Sequence, residues 1–395
     1  MSVPYFEFFA PVKILAGNRA LEHISYELSS LSASRPLLVT DPGVRKAGLV
    51  EPVARALSEG GTPFVATFED VPADSSTKVV AACARVYRDN RCDAIVAVGG
   101  GSVIDTSKGA NILVSEGGDD VHRYLGAGAL KRALRPFFVI PTTAGTGSEV
   151  TIAAVIADPD RGVKLAFTSP YLLPHAAIVD PRMTLTLPPF LTAATAMDAL
   201  THATEAYIGL AKNPISDAYA TTAIAKIVQA LPRVLARPLD EEARFDLALG
   251  ATIAGVAFSS SMTSLVHALG HQLGAVCHLH HGVCMGLLLP YALEYNLAAR
   301  SVEIGELLLP LEGPEAYARV MSGDRPRAAI ASIRKLRDML HAKVGLPRTL
   351  SETGKVQRDQ LPRLAKMALD DGALAFNPVA VGHADALSVL ERAWA

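Results

Sequence analysis

The sequence carries almost no net charge, because 39 Asp and Glu residues balance 37 Lys and Arg residues. A protein that binds nucleic acid normally shows a basic excess or a basic stripe. Neither is found here, so we expect no nucleic-acid partner. Charged residues make up only 19% of the chain and hydrophobic residues 50%, which is typical of a compact globular protein and excludes a disordered one.

Long apolar runs, targeting segments and cysteine motifs are also missing. No run reaches roughly 18 apolar residues, the length that spans a bilayer, so we expect no membrane association. The N-terminal stretch MSVPYFEFFAPVKI lacks the basic start and the small-residue cleavage site of a signal peptide. The four cysteines form no CxxC pair and are too few to build a disulfide framework in a chain of 395 residues. Together these features predict a soluble cytoplasmic protein with reduced thiols.

The length of the chain favours two domains, since one hydrophobic core rarely serves so many residues. In the first half, helical stretches at 48–61 and 75–91 alternate with buried β-type runs, which occupy 35–41, 92–102, 135–149 and 175–181. Such alternation predicts a parallel sheet with helices on its faces. The segment 151–169 alternates apolar and polar residues around a turn at 158–162, and predicts a hairpin.

The character of the sequence changes after the proline-rich segment MTLTLPPFLT at 183–192. Alanine, leucine and helical periodicity dominate from there to the end of the chain. We therefore predict an α/β N-terminal domain with a parallel sheet at 1–187 and an all-α C-terminal domain at 188–395.

Two glycine-rich loops follow predicted strands. The stretch VAVGGGSVIDTSKGA places three glycines between a buried strand and a helix, where backbone N–H groups and the helix N-terminus can bind a phosphate at Gly100–Ser102. The loop PTTAGTGSE adds hydroxyl groups at a second strand end, where parallel sheets bind ligands. Neither GxGxxG nor GxxxxGK[ST] occurs, and a GGGS segment is also compatible with a simple tight turn.

Asp41 stands at the end of another predicted strand. Its carboxylate could accept a hydrogen bond from a ribose hydroxyl and repel a 2′-phosphate, which favours NAD over NADP. The alternative is that Asp41 only forms the turn before Pro42–Gly43, and the sequence leaves both interpretations open.

Histidine and aspartate recur at helical spacing in the second half. Asp198 and His202 in MDALTHATEAY are four residues apart, as are His267 and His271 in HALGHQLGAVCHLHHG. On helices each pair shares one face, and two such helices can surround a divalent cation with ligands that suit Fe(II) or Zn(II). The apolar flanks favour this reading, because buried polar groups need partners. The alternatives are a surface ion pair and a solvated histidine-rich loop, and the absence of HExxH argues against a metalloprotease.

These motifs, in this order and over nearly the whole chain, closely resemble the iron-dependent (group III) alcohol dehydrogenases, a family that includes lactaldehyde reductase and 1,3-propanediol dehydrogenase. The resemblance implies an N-terminal dinucleotide-binding domain, a C-terminal metal-binding domain, NAD as cofactor and Fe(II) as metal, with Zn(II) as the alternative. The implied metal ligands are Asp198, His202, His267 and His281, and His280 competes with His281 by proximity alone. The implied proton-relay residue is His271. The implied cofactor contacts are Gly100, Gly101, Ser102, Thr142, Thr143, Thr146 and Lys164.

The resemblance also implies the reaction, a reversible hydride transfer between NAD and a small primary alcohol or diol, or its aldehyde. The metal would act as a Lewis acid in a cleft between the domains, and His271 would pass the proton to solvent. Phe258 either lines the substrate pocket or belongs to the core, and Cys277 is expected to serve packing. We expect a homodimer or a higher homo-oligomer.

Two other activities compete with this one. The segment VPADSST at 71–77 replaces the Pro-Asn-Pro-Thr of many members and is closer to the hydroxyacid-oxoacid transhydrogenase branch. A metal-dependent lyase of the dehydroquinate synthase type is disfavoured, because no lysine or arginine stands beside the ligand motifs. A binding protein with a dead site is disfavoured by the presence of both the cofactor loops and the full ligand set.

Overall fold

The structure is a computed structural model that describes residues 5–395. It divides into two compact units. The sheet-containing unit holds Ala10–Leu187 and Leu239–Leu249, and the helical unit holds residues 5–9, Pro188–Pro238 and Gly250–Ala395. Both units are discontinuous in sequence, and the contiguous domains at 1–187 and 188–395 stay a prediction.

The described residues form nine strands, which are β1 Lys13–Ala16, β2 Pro36–Val39, β3 Ala66–Phe68, β4 Ala94–Gly99, β5 Gly126–Ala127, β6 Phe137–Pro141, β7 Ala153–Asp158, β8 Val163–Thr168 and β9 Ala176–Val179. Six of them build one sheet in the order β1-β9-β6-β4-β2-β3, and all its pairs are parallel. The other three build a small sheet in which β7 and β8 form the predicted antiparallel hairpin.

The four central strands of the large sheet are buried on both faces. Every residue of β2, β4, β6 and β9 is buried. Successive side chains point to opposite faces of a strand. Accordingly, Leu37 and Ile95 belong to one hydrophobic core, while Leu38 and Val96 belong to another. Continuous apolar strands covered on both sides are the pattern expected of a parallel sheet, and the predicted sheet is confirmed.

Five α-helices precede residue 188, namely α1 Ile24–Ser30, α2 Pro42–Lys46, α3 Val50–Glu59, α4 Thr77–Asp89 and α5 Gly101–Glu116. The later helices are α6 Pro189–Ile208, α7 Pro214–Ala236, α8 Glu241–Ser261, α9 Leu265–Cys277, α10 His281–Asn296, α11 Ser301–Glu306, α12 Leu308–Glu312, α13 Pro314–Arg319, α14 Arg325–Val344, α15 Leu361–Ala368 and α16 His383–Trp394. From residue 188 to 395, all of it described, the chain contains no strand, as predicted.

Helix α6 is the centre of the helical unit. It is buried continuously from Thr192 to Ile208 and packs against α7 and α10. A helix that is apolar on all sides belongs in a protein interior. Any charged side chain that α6 carries must therefore find its partners inside the protein.

Among residues 5–395, no single helix is both long enough and apolar enough to cross a membrane. Helices α8 and α9 meet the length and composition criteria only as a pair, and a bend of 107° separates them.

Candidate metal centre

Three polar side chains lie on one face of the buried helix α6. Asp198, His202 and Glu205 occupy positions i, i+4 and i+7, the spacing that aligns residues along a helix. Each is no more than 4% exposed. The opening turn of α9 adds His267 and the first residue of α10 adds His281, so three helices contribute to one cluster.

The cluster is centred on one carboxylate oxygen. The Nε2 atoms of His281, His202 and His267 lie 3.4, 3.8 and 3.9 Å from Oδ1 of Asp198. One potential ligand atom each from Asp198, His267 and His281 lies within 4.8 Å of the other two. This is the arrangement that a divalent transition metal requires of a mixed carboxylate and imidazole site.

The unpaired atoms of the cluster fit a cation. Oδ1 of Asp198, Nδ1 of His202 and Nε2 of His267 are buried, and no residue among 5–395 forms a hydrogen bond with them. A buried polar atom without a partner costs about 1–3 kcal/mol. A metal held at Oδ1 of Asp198 and Nε2 of His267 would remove that cost at two of the three atoms, so the residues present fit the metal that the sequence predicts.

The protonation states of Asp198 and His202 suit the same cation. Burial would raise the pKa of Asp198, but the surrounding histidines, His202 first among them, hold it well below its usual range, so the side chain is a carboxylate. Burial lowers the pKa of His202 to about 3, so this ring is a neutral imidazole at neutral pH. Metals bind carboxylates and neutral imidazoles, not their protonated forms.

Packing fixes the ring of His202. The ring of Phe258 stacks on it at a centroid distance of 4.1 Å and an angle of 11°, and the ring of His267 lies 4.5 Å away on a tilted stack. Phe258 therefore contacts a predicted ligand directly, and its place in a substrate pocket stays a prediction.

His202 and His271 both lie outside the three-residue group, His202 within the cluster around Oδ1 of Asp198 and His271 beside it. The Nδ1 atom of His271 is 2.8 Å from Oδ2 of Asp371, and its ring stacks on that of His281 at 5.6 Å. The side chain is 21% exposed. A histidine with one nitrogen held by a carboxylate and a partial path to solvent is suited to moving a proton.

The last three histidines of the segment HALGHQLGAVCHLHHG differ in their exposure. His278 and His280 are exposed, whereas His281 is half-buried and belongs to the three-residue group. Cys277 is buried, with its Sγ atom 3.6 Å from Oε1 of Gln360. These placements favour His281 over His280 as the ligand, and they leave Cys277 as a packing residue.

The two glycine-rich loops come together in the sheet-containing unit. Gly100 caps α5 directly after β4, and the Thr143 side chain lies 3.2 Å from the position that a Cβ on Gly100 would take. A Cβ on Gly101 would lie 2.8 Å from the Thr146 side chain. Glycine is therefore required for the loops to approach each other, and this contact places the first N–H groups of a 16-residue helix beside the threonines. Phosphate binding at this edge stays a prediction.

The other predicted cofactor residues already have protein partners. Oδ1 of Asp41 accepts the N–H of Val44 at 2.9 Å and so caps α2. Oγ of Ser102 donates to the carbonyl of Ala73. Nζ of Lys164 lies 3.2 Å from Oδ1 of Asp74. Thr142 is buried, and its N–H donates to the carbonyl of Gly99 at 3.1 Å. Their contacts with a cofactor stay a prediction.

Comparison with known proteins identifies the family. A model described as iron-containing alcohol dehydrogenase matches residues 11–181, and a model of the C-terminal part of the same family matches residues 192–394. The chain belongs to the iron-containing alcohol dehydrogenase family. This membership confirms the resemblance inferred from the motifs, the fold class and the enzyme class.

Named relatives of this iron-containing alcohol dehydrogenase cover nearly its full length. It is 34% identical to the NAD-dependent methanol dehydrogenase of Bacillus methanolicus over 98% of this chain and 99% of that protein. It is 37% identical to the 1,3-propanediol dehydrogenase of Klebsiella pneumoniae over 96% of each chain. A crystal structure of a 1,3-propanediol oxidoreductase superimposes with a TM-score of 0.93 at 34% identity, covering 99% of this chain and 100% of that one.

Sequence reasoning missed two carboxylates that hold histidines of the cluster. Glu205 lies 2.6 Å from Nδ1 of His267, and Asp371 holds His271. Glu205 stands seven residues after Asp198 within MDALTHATEAY, so its helical spacing was a detectable signal. Asp371 is 100 residues from its partner, and no local pattern marks it.

Proposed function

We propose that this protein catalyses the reversible, NAD-dependent oxidation of a small primary alcohol or diol to the aldehyde. The observation that carries the proposal is the group formed by Asp198, His267 and His281, in which Oδ1 of Asp198 and Nε2 of His267 are buried and accept or donate no hydrogen bond among residues 5–395. Family membership supports the reaction class. The names of two relatives, a methanol dehydrogenase and a 1,3-propanediol dehydrogenase, support the substrate class.

In this proposal Asp198, His202, His267 and His281 hold a divalent iron. When bound, that ion would supply Lewis acidity toward the substrate oxygen, and NAD would supply the hydride acceptor. Because Asp371 occupies Nδ1 of His271, the other ring nitrogen is available to take the alcohol proton and release it toward solvent. The glycine loops at Gly100 and Gly101, with Thr143 and Thr146, hold the phosphates of the cofactor.

The test is turnover by protein purified without oxygen and loaded with Fe(II). We expect NADH to form with methanol, 1,3-propanediol and related short alcohols, and we expect the activity to disappear when a chelator removes the metal. Reloading with Zn(II) in parallel distinguishes the two metals. Metal-loaded protein that reduces no NAD with any short alcohol or diol would contradict the proposal.

The same preparation separates dehydrogenation from transhydrogenation. A transhydrogenase holds its cofactor through the cycle, so it converts a hydroxy acid and an oxo acid together without added NAD. We expect no such conversion. The proposal further includes a cytoplasmic location and a homo-oligomeric state. Size-exclusion chromatography with light scattering measures the oligomeric state directly.

Cofactor preference is expected to depend on the charge of Asp41. Asp41→Asn retains a side-chain oxygen that can cap α2 but removes the charge, so the ratio of NADP to NAD turnover should rise. Asp41→Ala removes charge and cap together, and should change the ratio similarly while costing about 1 kcal/mol of folding stability. The measurement is kcat/KM for both cofactors. An unchanged ratio in Asp41→Asn would mean that Asp41 serves only as a cap.

A further inference from the structure

Glu205 joins the predicted metal ligand His267 to the start of α9. Its carboxylate is 1% exposed and is surrounded by four donors from α9 and its N-cap. Oε1 accepts from Oγ of Ser264 at 2.8 Å and from the N–H of Val266 at 2.7 Å. Oε2 accepts from the N–H of Ser264 at 3.0 Å and lies 2.6 Å from Nδ1 of His267. One side chain of α6 therefore satisfies two otherwise unpaired N–H groups at a helix start and one imidazole ring.

This geometry determines which nitrogen of His267 faces the cluster. Oε2 already accepts a backbone N–H and has no proton to give, so the Nδ1 atom beside it must be the donor. The lone pair of the neutral ring then resides on Nε2. That atom is buried, has no hydrogen-bond partner among the described residues, and lies 3.9 Å from Oδ1 of Asp198.

We propose that Glu205 is a positioning residue for metal binding, which fixes both the tautomer and the ring orientation of His267. The inference rests on the proposed metal centre and extends it to a residue outside the ligand set. A carboxylate behind an imidazole ligand makes the ring more basic and orients it, and losing such a group lowers metal affinity about 10–100-fold. Capping α9 is a separate role of the same side chain, and the test must separate the two.

Three variants distinguish the positioning of His267 from the capping of α9. Glu205→Met has a similar length but no acceptor, so it removes both roles. Glu205→Gln retains one carbonyl oxygen, which can accept hydrogen bonds only from the two donors that surround one of the carboxylate oxygens. Ser264→Ala removes one hydrogen bond to Glu205 but leaves the contact with Nδ1 of His267 in place, and is the matched control for capping alone.

The experiment titrates the metal-free proteins with Co(II), whose visible absorption reports binding, and measures thermal unfolding of the same samples. We expect a loss of Co(II) affinity of about 10–100-fold in Glu205→Met, a smaller loss in Glu205→Gln, and wild-type affinity in Ser264→Ala. The metal-free Glu205→Met and Ser264→Ala proteins should both unfold at lower temperature. Nitrogen NMR of the metal-free wild type should show the proton of His267 on Nδ1.

The contrary outcomes are distinct. Wild-type Co(II) affinity in Glu205→Met, or in Glu205→Gln if the methionine variant does not fold, would overturn the positioning role and leave only the cap. A neutral His267 ring in the wild type whose only proton is on Nε2 would overturn it as well. If the wild-type protein itself binds no Co(II), the proposed metal centre is wrong, and the role of Glu205 is overturned with it.

Discussion

His267→Ala is expected to lose most of its bound metal and, with it, nearly all activity. Nε2 of His267 is buried, unpaired among the described residues and directed at the oxygen on which the cluster is centred. His271→Ala, one helical turn further along α9, is expected to keep its metal. Its Nδ1 atom is held by Asp371 at 2.8 Å and does not face Oδ1 of Asp198. Turnover should nevertheless fall about 10²–10⁴-fold, the usual contribution of a positioned proton-transfer group.

The two variants form a matched pair, because each removes one imidazole from the same helix. Metal content by elemental analysis and kcat by NADH formation separate their roles, and His281→Ala extends the comparison to α10. We expect His281→Ala to behave as His267→Ala does. Metal lost from His271→Ala but retained by His281→Ala would show that the ligand set is wrong.

Gly282→Ala is expected to disrupt both folding and metal binding. A Cβ at this position would lie 2.1 Å from the backbone oxygen of Ala194 in α6, a contact that no real structure tolerates. Backbone cannot move aside as a side chain does, so α10 would have to shift away from α6. These two helices carry His281 and Asp198. Overpacking of this kind costs about 1–3 kcal/mol or more of folding stability, and the displacement should weaken metal affinity in the protein that still folds.

Gly286→Ala supplies the control for this prediction. Gly286 lies one turn along α10 and faces the same helix, but its Cβ would meet the side chain of Met197 at 3.3 Å, and methionine adapts readily. We expect a change within about 1 kcal/mol, since the gain in helix propensity offsets the tighter packing. Chemical denaturation and Co(II) titration of both variants provide the comparison. Equal stability and affinity in Gly282→Ala and the wild type would contradict the packing described for α6 and α10.

Local sequence patterns predicted most of the secondary structure. Buried apolar runs that end in glycine predicted β4 and β6, and the alternating segment 151–169 predicted the hairpin of β7 and β8. These predictions succeeded because strand and loop preferences depend on neighbouring residues. The short strands β1 and β3 had no such pattern. They form because the edges of the sheet offer unpaired backbone groups, and pairing with β9 and β2 is a tertiary event.

The sequence also predicted part of the candidate metal centre. Helical spacing selected Asp198, His202, His267 and His271, since residues four apart share a face whatever surrounds the helix. For Asp41 the sequence left two interpretations, and the structure adds the cap on Val44 without testing a cofactor contact.

The sequence by itself determined the family, the parallel sheet followed by helices, and the kinds of side chain available to bind a metal, because each of these depends on composition and on spacing within a single segment. Only the tertiary structure decided which nitrogen and oxygen atoms converge on Oδ1 of Asp198, and which carboxylates hold the histidines. Glu205 and His267 are 62 residues apart, and Asp371 and His271 are 100 apart. Contacts between residues so far apart in sequence arise only when packed helices bring their faces together. No pattern within one helix contains that information.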